Sequence, residues 1–205
     1  MTGLFITLEG GDGTGKSTQS ALIGEWYTQQ GREVVFTREP GGTDLGNELR
    51  EIVLHSRGHI APRAEALLYA ADRAHHIATV VRPALERGAV VIQDRYLDSS
   101  VAYQGAGRVL DPDEVRHVSM WATEGLVPDV TVLLDLDPVI GRDRLDAANK
   151  QFDRLEAEAL EFHTRVRESY LAMAAAEPDR FVVVDATLDR HNIRDAIVAR
   201  LATLS

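Results

Sequence analysis

The sequence predicts a single α/β domain, with a parallel sheet of about five strands covered by helices on both faces. Five short apolar runs have the length of strands, near residues 4–8, 33–37, 89–93, 130–136 and 181–184. A longer stretch with apolar residues at helical spacing follows each run. The 205 residues fit one domain, and they show no internal repeat or interdomain linker.

The first half of the chain alternates two strands with three helices. A Gly-rich turn follows the strand at 4–8, and residues 17–30 then predict a helix that ends before Gly31. After the strand at 33–37, residues 44–55 place apolar side chains on one helical face. Pro62 suits the first turn of a long helix that runs to about residue 81, and Pro83 should kink or divide it.

The second half has two fully apolar strands, at 89–93 and 130–136, which indicates burial on both faces of the sheet. Asp111-Pro112 and Asp137-Pro138 each combine a capping residue with a first-turn proline, which predicts a helix start. The helix from Pro138 runs into a charged stretch near residues 142–154. The last predicted elements are a helix at 155–176, a strand at 181–184 and a helix at 189–204.

Composition excludes several classes of protein. The chain has no cysteine, so it forms neither disulfides nor thiolate metal sites. Its formal net charge of −10 argues against a nucleic-acid polymer as partner, because such proteins present a basic face. The N-terminus lacks the pattern of a signal peptide, and no apolar run reaches the ~20 residues of a membrane span. We expect a cytoplasmic protein that does not bind membranes.

The residues from Gly10 to Ser17, GGDGTGKS, match the phosphate-binding pattern G-x-x-x-x-G-K-[ST] in full. Glycines let backbone N–H groups surround phosphate oxygens, and the helix that follows adds its N-terminal partial charge. Lys16 would reach the β- and γ-phosphates, and the Ser17 hydroxyl would bind Mg²⁺. The predicted ATP-binding residues are Gly10, Gly11, Asp12, Gly13, Thr14, Gly15, Lys16, Ser17 and Thr18, with Arg142 and Arg144 from the charged stretch.

This pattern alone does not distinguish a kinase from a GTPase switch or a motor ATPase. A guanine-specific GTPase normally has an N-K-x-D segment, and the nearest candidate, Asn149-Lys150-Gln151-Phe152, lacks the aspartate. A larger ATPase needs a longer chain. The sequence therefore favours transfer of a γ-phosphoryl group to a small molecule.

Three further motifs carry a resemblance to a known family. They are Phe36-Thr37-Arg38-Glu39-Pro40-Gly41-Gly42-Thr43, Asp94-Arg95-Tyr96 and Ala102-Tyr103-Gln104-Gly105-Ala106-Gly107-Arg108. Together, from about residue 5 to 186, the chain resembles bacterial thymidylate kinases. The resemblance implies a P-loop NTPase fold with a small mobile lid at about 140–155, phosphoryl transfer from ATP to dTMP with Mg²⁺, and a homodimer.

The predicted acceptor-phosphate site follows two strands. Asp94 and Arg95 lie at the carboxyl end of a buried strand, where α/β sheets bind ligands. Asp94 would join Ser17 in the magnesium shell, and Arg95 resembles the family's clamp on the dTMP phosphate. Arg38 would be a second clamp, in a turn that includes Pro40, whose preceding bond is a candidate cis peptide. A structural ion pair and a simple turn are the alternatives.

The predicted nucleoside site draws on two segments. Tyr69 and Arg73 lie four residues apart on one helix face, and they resemble a ring stacked on thymine and a guanidinium at its edge. Core packing is the alternative for Tyr69. The resemblance also places Ser100, Tyr103 and Gln104 around the base and sugar and Asp12 on a sugar hydroxyl. Gln104 would read the base, and Tyr103 would crowd a 2′-hydroxyl.

The charged stretch is expected to supply a catalytic cation. It includes Arg142, Arg144, Lys150 and Arg154, and its Asp153-Arg154-Leu155-Glu156 resembles the family's D-R-[IL]-E motif. Family members without a basic residue in the variable part of the phosphate loop supply an arginine from the lid, and Gly13 occupies the position in question. Lys150 and Arg154 are the predicted catalytic lid residues, together with Lys16 and Arg95, while Arg142 or Arg144 are alternatives. A solvated charged surface is the simpler interpretation.

Two rival functions stay open. Another nucleoside monophosphate kinase or a deoxynucleoside kinase would share the phosphate loop, although a nucleoside kinase needs a base for a neutral hydroxyl. An ATP-binding switch would use the same loop without turning over a small acceptor.

Overall fold

The computed structural model describes residues 3–56, 58–148 and 152–203. Its strands are β1 (Leu4–Glu9), β2 (Val34–Arg38), β3 (Val90–Asp94), β4 (Val130–Asp135) and β5 (Phe181–Asp185). They form one sheet in the order β2-β3-β1-β4-β5, and every neighbouring pair is parallel. The prediction of about five parallel strands is confirmed, with strand ends that differ by at most one residue.

The helices alternate with these strands. They are α1 (Lys16–Gln29), α2 (Asp44–His55), α3 (Pro62–His76), α4 (Arg82–Glu86), α5 (Leu97–Ser100), α6 (Pro112–Ala122), α7 (Pro138–Ala147), α8 (Leu160–Ala176) and α9 (Arg190–Leu201). Two π-helical segments, Ile77–Val81 and Val101–Gly107, continue α3 and α5. Across the described ranges, no helix combines the length and the apolar character that a membrane crossing requires.

The sheet is buried on both faces. Ile6, Leu8 and Ile92 pack with Ile23 of α1 and Ile197 of α9 in one hydrophobic cluster. Phe5 and Val91 belong to a second cluster with the segment after α3, and Leu133 joins α8 in a third. Alternate residues of the central strands therefore serve opposite layers, as continuous apolar strands predict.

Capping side chains start the helices where the sequence predicts them. Asp111 accepts a hydrogen bond from the Asp113 backbone at 2.9 Å, and Asp137 does the same for Val139 at 2.9 Å. Asp189 caps α9 in the same way. Each bond satisfies one of the N–H groups that a helix leaves unpaired in its first turn.

The predicted helix at 155–176 is wrong at its start, because α8 begins at Leu160. One Asp153 carboxylate oxygen accepts from the backbone N–H groups of Leu155 and Glu156, both at 2.9 Å. The Glu156 carboxylate accepts from the Asp153 N–H at 3.1 Å. These side-chain bonds close a separate turn, and the helical spacing of nearby apolar residues conceals it.

The helix predicted from Pro62 to residue 81 is α3 followed by the π-helical segment Ile77–Val81, and Pro83 lies in the first turn of α4. The helical backbone therefore continues past Pro83 to Glu86, and the change near the proline is a change of helix type at residues 77–81 rather than a break. The wider turn comes just before the proline, which lacks the N–H of a regular helix.

Candidate active site

A cleft opens where the carboxyl ends of β1, β2 and β3 meet α1, α3 and the Val101–Gly107 segment. It brings together most of the predicted site residues, which are Asp12, Gly13, Thr14, Gly15, Lys16, Ser17, Thr18, Arg38, Pro40, Tyr69, Arg73, Asp94, Arg95, Ser100, Tyr103, Gln104 and Arg144. Gly10, Gly11 and Arg142 line an adjoining cavity beneath the phosphate loop. Lys150 lies outside the described residues.

The phosphate loop joins β1 to α1 and lies close to α7. Gly13 has φ 74°, and a Cβ there would lie 2.5 Å from the Gly141 carbonyl oxygen. Gly141 is as tightly placed, because its Cβ would lie 2.6 Å from the Asp12 carbonyl oxygen. A side chain at position 13 therefore requires α7 to move, which gives a physical reason for glycine there.

Lys16 opens α1 and is almost fully buried. Its ammonium donates to the carbonyl oxygens of Gly11 at 2.8 Å and Gly10 at 3.3 Å. Burial and the neighbouring Arg95 charge lower its pKa, and Asp94 and Asp12 oppose that change. The loop therefore holds a cation beside the N–H groups that would receive phosphate.

Arg95 connects the phosphate loop to the opposite wall of the cleft. Its guanidinium donates to Asp12 Oδ1 at 2.6 Å, to the Tyr103 hydroxyl at 3.1 Å and to Ser99 Oγ at 3.3 Å. Burial alone would raise the pKa of Asp12, but Arg95 and Lys16 outweigh it and lower that pKa to about 2. Arg95 also has φ 66°, an unusual conformation for a residue other than glycine.

Glu9 is a buried residue behind the cleft wall, and it was not among the predicted site residues. It is fully buried, and its carboxylate accepts from the Tyr96 N–H at 2.8 Å, Ser99 Oγ at 2.6 Å and the Tyr170 hydroxyl at 2.8 Å. Burial and the Asp98 charge raise its pKa to about 7. These bonds fix the chain on the far side of Arg95. An acidic residue at the end of an apolar strand was the available signal.

One wall of the cleft is built on α3. Tyr69 lines the cleft and also belongs to a hydrophobic cluster. Its ring therefore packs in the core, as the alternative interpretation held, and is also available to the cleft. Arg73 is 1% exposed, and its Nε donates to Glu39 Oε2 at 2.7 Å. The guanidinium also donates to Ser119 Oγ, the Tyr96 carbonyl and Ser100 Oγ. Arg73 is thus firmly held in this wall of the cleft.

Arg38 is the last residue of β2 and lies at the surface of the cleft, and the Glu39–Pro40 bond that follows is cis, as the sequence suggested. Glu39 turns inward, where it accepts from Arg73 and contacts His76 Nδ1 at 2.9 Å. These two contacts hold the Glu39 carboxylate inside the protein, directly after the exposed Arg38.

The cations of the charged stretch at 142–154 occupy different environments. Arg144 donates to the Gly13 carbonyl at 3.2 Å and to the Ala186 carbonyl at 3.0 Å, which puts it beside the phosphate loop. Arg142 lies over the Phe152 ring. Arg154 points elsewhere, since it pairs with buried Glu65 and donates to the Val53 carbonyl at 2.8 Å. The cleft thus includes Arg144 but not Arg154 among its lining residues.

Asp94 and Ser17 fit the requirements of a hard cation. Asp94 Oδ1 is buried, and it has no hydrogen-bond partner within the described residues. Ser17 is exposed in the first turn of α1, and both residues line the cleft. The described ranges contain no cluster of three or more His, Asp or Glu side chains suited to a metal. Such a sparse site suits Mg²⁺, which is usually held by one or two protein oxygens and by substrate phosphates.

Comparisons with known proteins identify a family. The family model for thymidylate kinase matches residues 8–197. A thymidylate kinase from Clavibacter sepedonicus is 72% identical over 204 residues, covering 100% of this chain and 97% of the relative. One from Leifsonia xyli subsp. xyli is 71% identical over 97% of this chain and 94% of its own. The crystal structure of thymidylate kinase from Ehrlichia chaffeensis superposes with a TM-score of 0.80 at 29% identity, covering 98% of this chain and 99% of that one.

Proposed function

This chain belongs to the thymidylate kinase family, and we propose the residues with which it transfers the γ-phosphoryl group of ATP to dTMP, giving ADP and dTDP. The observation that carries the proposal is the contact between Arg95 and Asp12 at 2.6 Å. It joins the predicted acceptor clamp directly to the phosphate loop. Two phosphate groups bound at these places would be adjacent, as in-line transfer requires.

Charge neutralisation is the main task of the protein in this reaction. The acceptor phosphate is largely dianionic at pH 7, since its second pKa is about 6, and it needs no strong general base. Lys16 and the loop N–H groups would bind the ATP phosphates, with Gly10, Gly11, Gly13, Thr14, Gly15 and Thr18 forming the loop. Arg95 and Arg38 would bind the dTMP phosphate from the other side.

Mg²⁺ is the proposed cofactor, held by the Ser17 hydroxyl and by Asp94. The orphaned Asp94 oxygen supports this assignment. When bound, the ion would neutralise charge that develops between the β- and γ-phosphates. Asp94 and Ser17 would hold it from the protein side.

The nucleoside would lie on the α3 side of the cleft. Tyr69 would stack on the thymine ring, with Arg73 and Gln104 at its edge and Ser100 and Pro40 nearby. Asp12 would contact the 3′-hydroxyl, and Tyr103 would occupy the space that a 2′-hydroxyl needs. The contact of the Tyr103 hydroxyl with Arg95 supports a position beside the sugar and phosphate.

Among the lid cations we favour Arg144 for the transferred phosphoryl group, because it already contacts the Gly13 carbonyl. Arg154 would have to leave Glu65 to take part. Arg142 and Lys150 stay candidates for contacts with ATP. Closure of the lid would exclude water, which competes with dTMP as acceptor.

We also propose a cytoplasmic homodimer. Ile52 of α2, Leu67 of α3 and Trp121 of α6 are exposed apolar side chains, and α3 packs against both other helices. An apolar layer of this kind suits a partner copy. Sedimentation equilibrium should give twice the 22.6 kDa chain mass, and Leu67→Glu should shift the protein toward monomer. A monomer at micromolar concentration would exclude this assembly.

The function is tested by ADP release from MgATP with dTMP, dUMP, UMP, CMP, AMP or thymidine as the acceptor. We expect dTMP to give the highest kcat/KM. Similar rates with UMP would contradict the assignment of dTMP, and a preference for thymidine would indicate a nucleoside kinase. ADP release that does not depend on any acceptor would indicate an ATP-binding switch.

A further inference from the structure

We propose that Glu65 is a specificity-determining residue, because it fixes the orientation of the Gln104 amide and so presents an acceptor to the base. Only a pyrimidine that carries a hydrogen on N3, such as thymine or uracil, would match this acceptor. The inference rests on the proposed function, in which Gln104 faces the base. It adds a residue behind the pocket that decides which base is accepted.

Glu65 lies in the first turn of α3 and is fully buried. Its Oε1 accepts from Gln104 Nε2 at 3.0 Å and from Arg108 Nε at 3.2 Å. Its other oxygen pairs with Arg154. One carboxylate therefore holds the predicted base reader, a residue of the helical wall and a residue of the lid.

The chemistry of these partners forces one orientation on the amide. An ionised carboxylate can only accept hydrogen bonds, and an amide has one accepting atom and one donating atom. Burial alone would raise the pKa of Glu65, but the bonds from Gln104, Arg154 and Arg108 outweigh it and lower that pKa. Nε2 of Gln104 must then face Glu65, whichever way an amide is assigned in coordinates. The carbonyl oxygen is left for the ligand.

This orientation separates thymine from cytosine. Thymine offers an N3–H donor, which a carbonyl oxygen can accept. Cytosine has an unprotonated N3, so two acceptors would face each other and lose a hydrogen bond in a buried site. Arg73 adds to the discrimination, because a guanidinium can only donate and would suit the O4 of thymine. Glu65 is thus a positioning residue that acts through Gln104.

The test compares kcat/KM for dTMP and for dCMP in the unmodified chain and in Glu65→Gln. A glutamine at 65 can donate as well as accept, so the Gln104 amide can rotate. We expect the preference for dTMP over dCMP to fall about tenfold, mainly through a higher KM for dTMP and a lower KM for dCMP. Part of the preference should persist through Arg73. An unchanged ratio in a folded Glu65→Gln protein would overturn the proposal.

Glu158→Gln is the matched control. Glu158 pairs with the Arg108 guanidinium in the same network, but it makes no contact with Gln104. This change removes a carboxylate from the network without freeing the amide, so the dTMP/dCMP ratio should equal that of the unmodified chain. A drop like that in Glu65→Gln would show a general effect of charge and contradict the proposal.

A measurement on the unmodified chain makes the test independent of how the variants fold. N3-methyl-dTMP lacks the N3 hydrogen. We expect its inhibition constant against dTMP phosphorylation to be at least tenfold higher than the dissociation constant of dTMP. Equal affinity would exclude an acceptor at this position. If the proposed function itself were wrong, the unmodified chain would show no dTMP-dependent release of ADP. That outcome differs from an unchanged dTMP/dCMP ratio and from equal affinity for N3-methyl-dTMP.

Discussion

Arg95 connects the two phosphate sites at the scale of single residues. Its guanidinium contacts Asp12 in the phosphate loop and Tyr103 in the helical wall. We expect Arg95→Ala to lower kcat/KM for dTMP by about 10²–10³-fold. The two phosphate groups repel each other, and the substitution removes a cation that is positioned to offset this repulsion. Arg194→Ala, which removes an arginine paired with Asp195 on α9, should leave kcat/KM unchanged. A near-normal value for Arg95→Ala would refute its role.

Glu9 should give the stability of this protein an unusual pH dependence. Burial and Asp98 raise its pKa in the folded state to about 7, from the ordinary value of 4.5. The folded state therefore binds more protons than the unfolded state between these values, and the free energy of unfolding falls as pH rises through that window. The loss should be roughly 3 kcal/mol between pH 4.5 and 7, at about 1.4 kcal/mol per pKa unit.

Urea unfolding from pH 4.5 to 8 tests this prediction when the chain is compared with Glu9→Gln. Glutamine does not titrate. As pH rises, the unfolding free energy of the unmodified chain should therefore fall relative to that of Glu9→Gln. A difference that stays constant across this range would mean that Glu9 has an ordinary pKa in the folded state.

The residues that could be predicted from the sequence are those that a local motif marks. Lys16 and Ser17 follow from the phosphate-binding pattern, and Arg95 from its place after a buried strand. Glu65 has no such local mark, and the place of Glu9 at the end of β1 does not reveal its partners. Glu9 depends on Tyr170, and Glu65 depends on Arg154, so their roles arise from contacts between distant parts of the chain.

At the scale of elements, the contact between the phosphate loop and α7 is unusually close. A Cβ on Gly141 would lie 2.6 Å from the Asp12 carbonyl oxygen. We expect Gly141→Ala to displace α7 and Arg144, to lower the free energy of unfolding by about 1–3 kcal/mol and to raise the KM for ATP.

Gly58 offers a matched control for this change. A Cβ there would meet nothing within 4 Å, so Gly58→Ala should leave both the stability and the KM for ATP near normal. Thermal unfolding and ATP titrations of the two variants measure both effects. If Gly141→Ala behaved like Gly58→Ala, the loop would not depend on a glycine in α7.

The capping residue of α6 gives a second prediction for elements. Asp111 accepts from the Asp113 N–H at 2.9 Å. Asp111→Ala should lower the free energy of unfolding by about 1 kcal/mol, since one first-turn N–H loses its partner. Asp111→Asn keeps an accepting oxygen and should stay within a few tenths of a kcal/mol of the original. Equal losses in both variants, measured by urea unfolding, would point to charge instead of capping.

Element starts could be predicted where a cap and a proline coincide, as at Asp111-Pro112 and Asp137-Pro138. The start of α8 could not, because Asp153 and Glu156 bond locally and close a separate turn, so the helix begins later than the apolar pattern suggests. The π-helical segment Val101–Gly107 also escaped prediction, since no residue pattern distinguishes a wide turn from a loop. It nevertheless contains Tyr103 and Gln104.

For the whole molecule, the strand order explains why distant motifs meet. β1 and β2 both pair with β3, so the phosphate loop after β1, the Arg38 turn after β2 and Arg95 after β3 share one edge of the sheet. Alternation of strands and helices predicts parallel strands, and hence ligands at their carboxyl ends. The order of the strands depends on packing between layers, which the sequence pattern alone does not specify.

A crystal structure with dTMP and a non-hydrolysable ATP analogue with Mg²⁺ is the most direct test. We predict that the acceptor phosphate accepts hydrogen bonds from Arg95 and Arg38, while the terminal phosphate of the analogue contacts Lys16. The acceptor oxygen should lie about 3–3.5 Å from the terminal phosphorus. An acceptor phosphate beyond hydrogen-bond distance of both arginines would contradict the account.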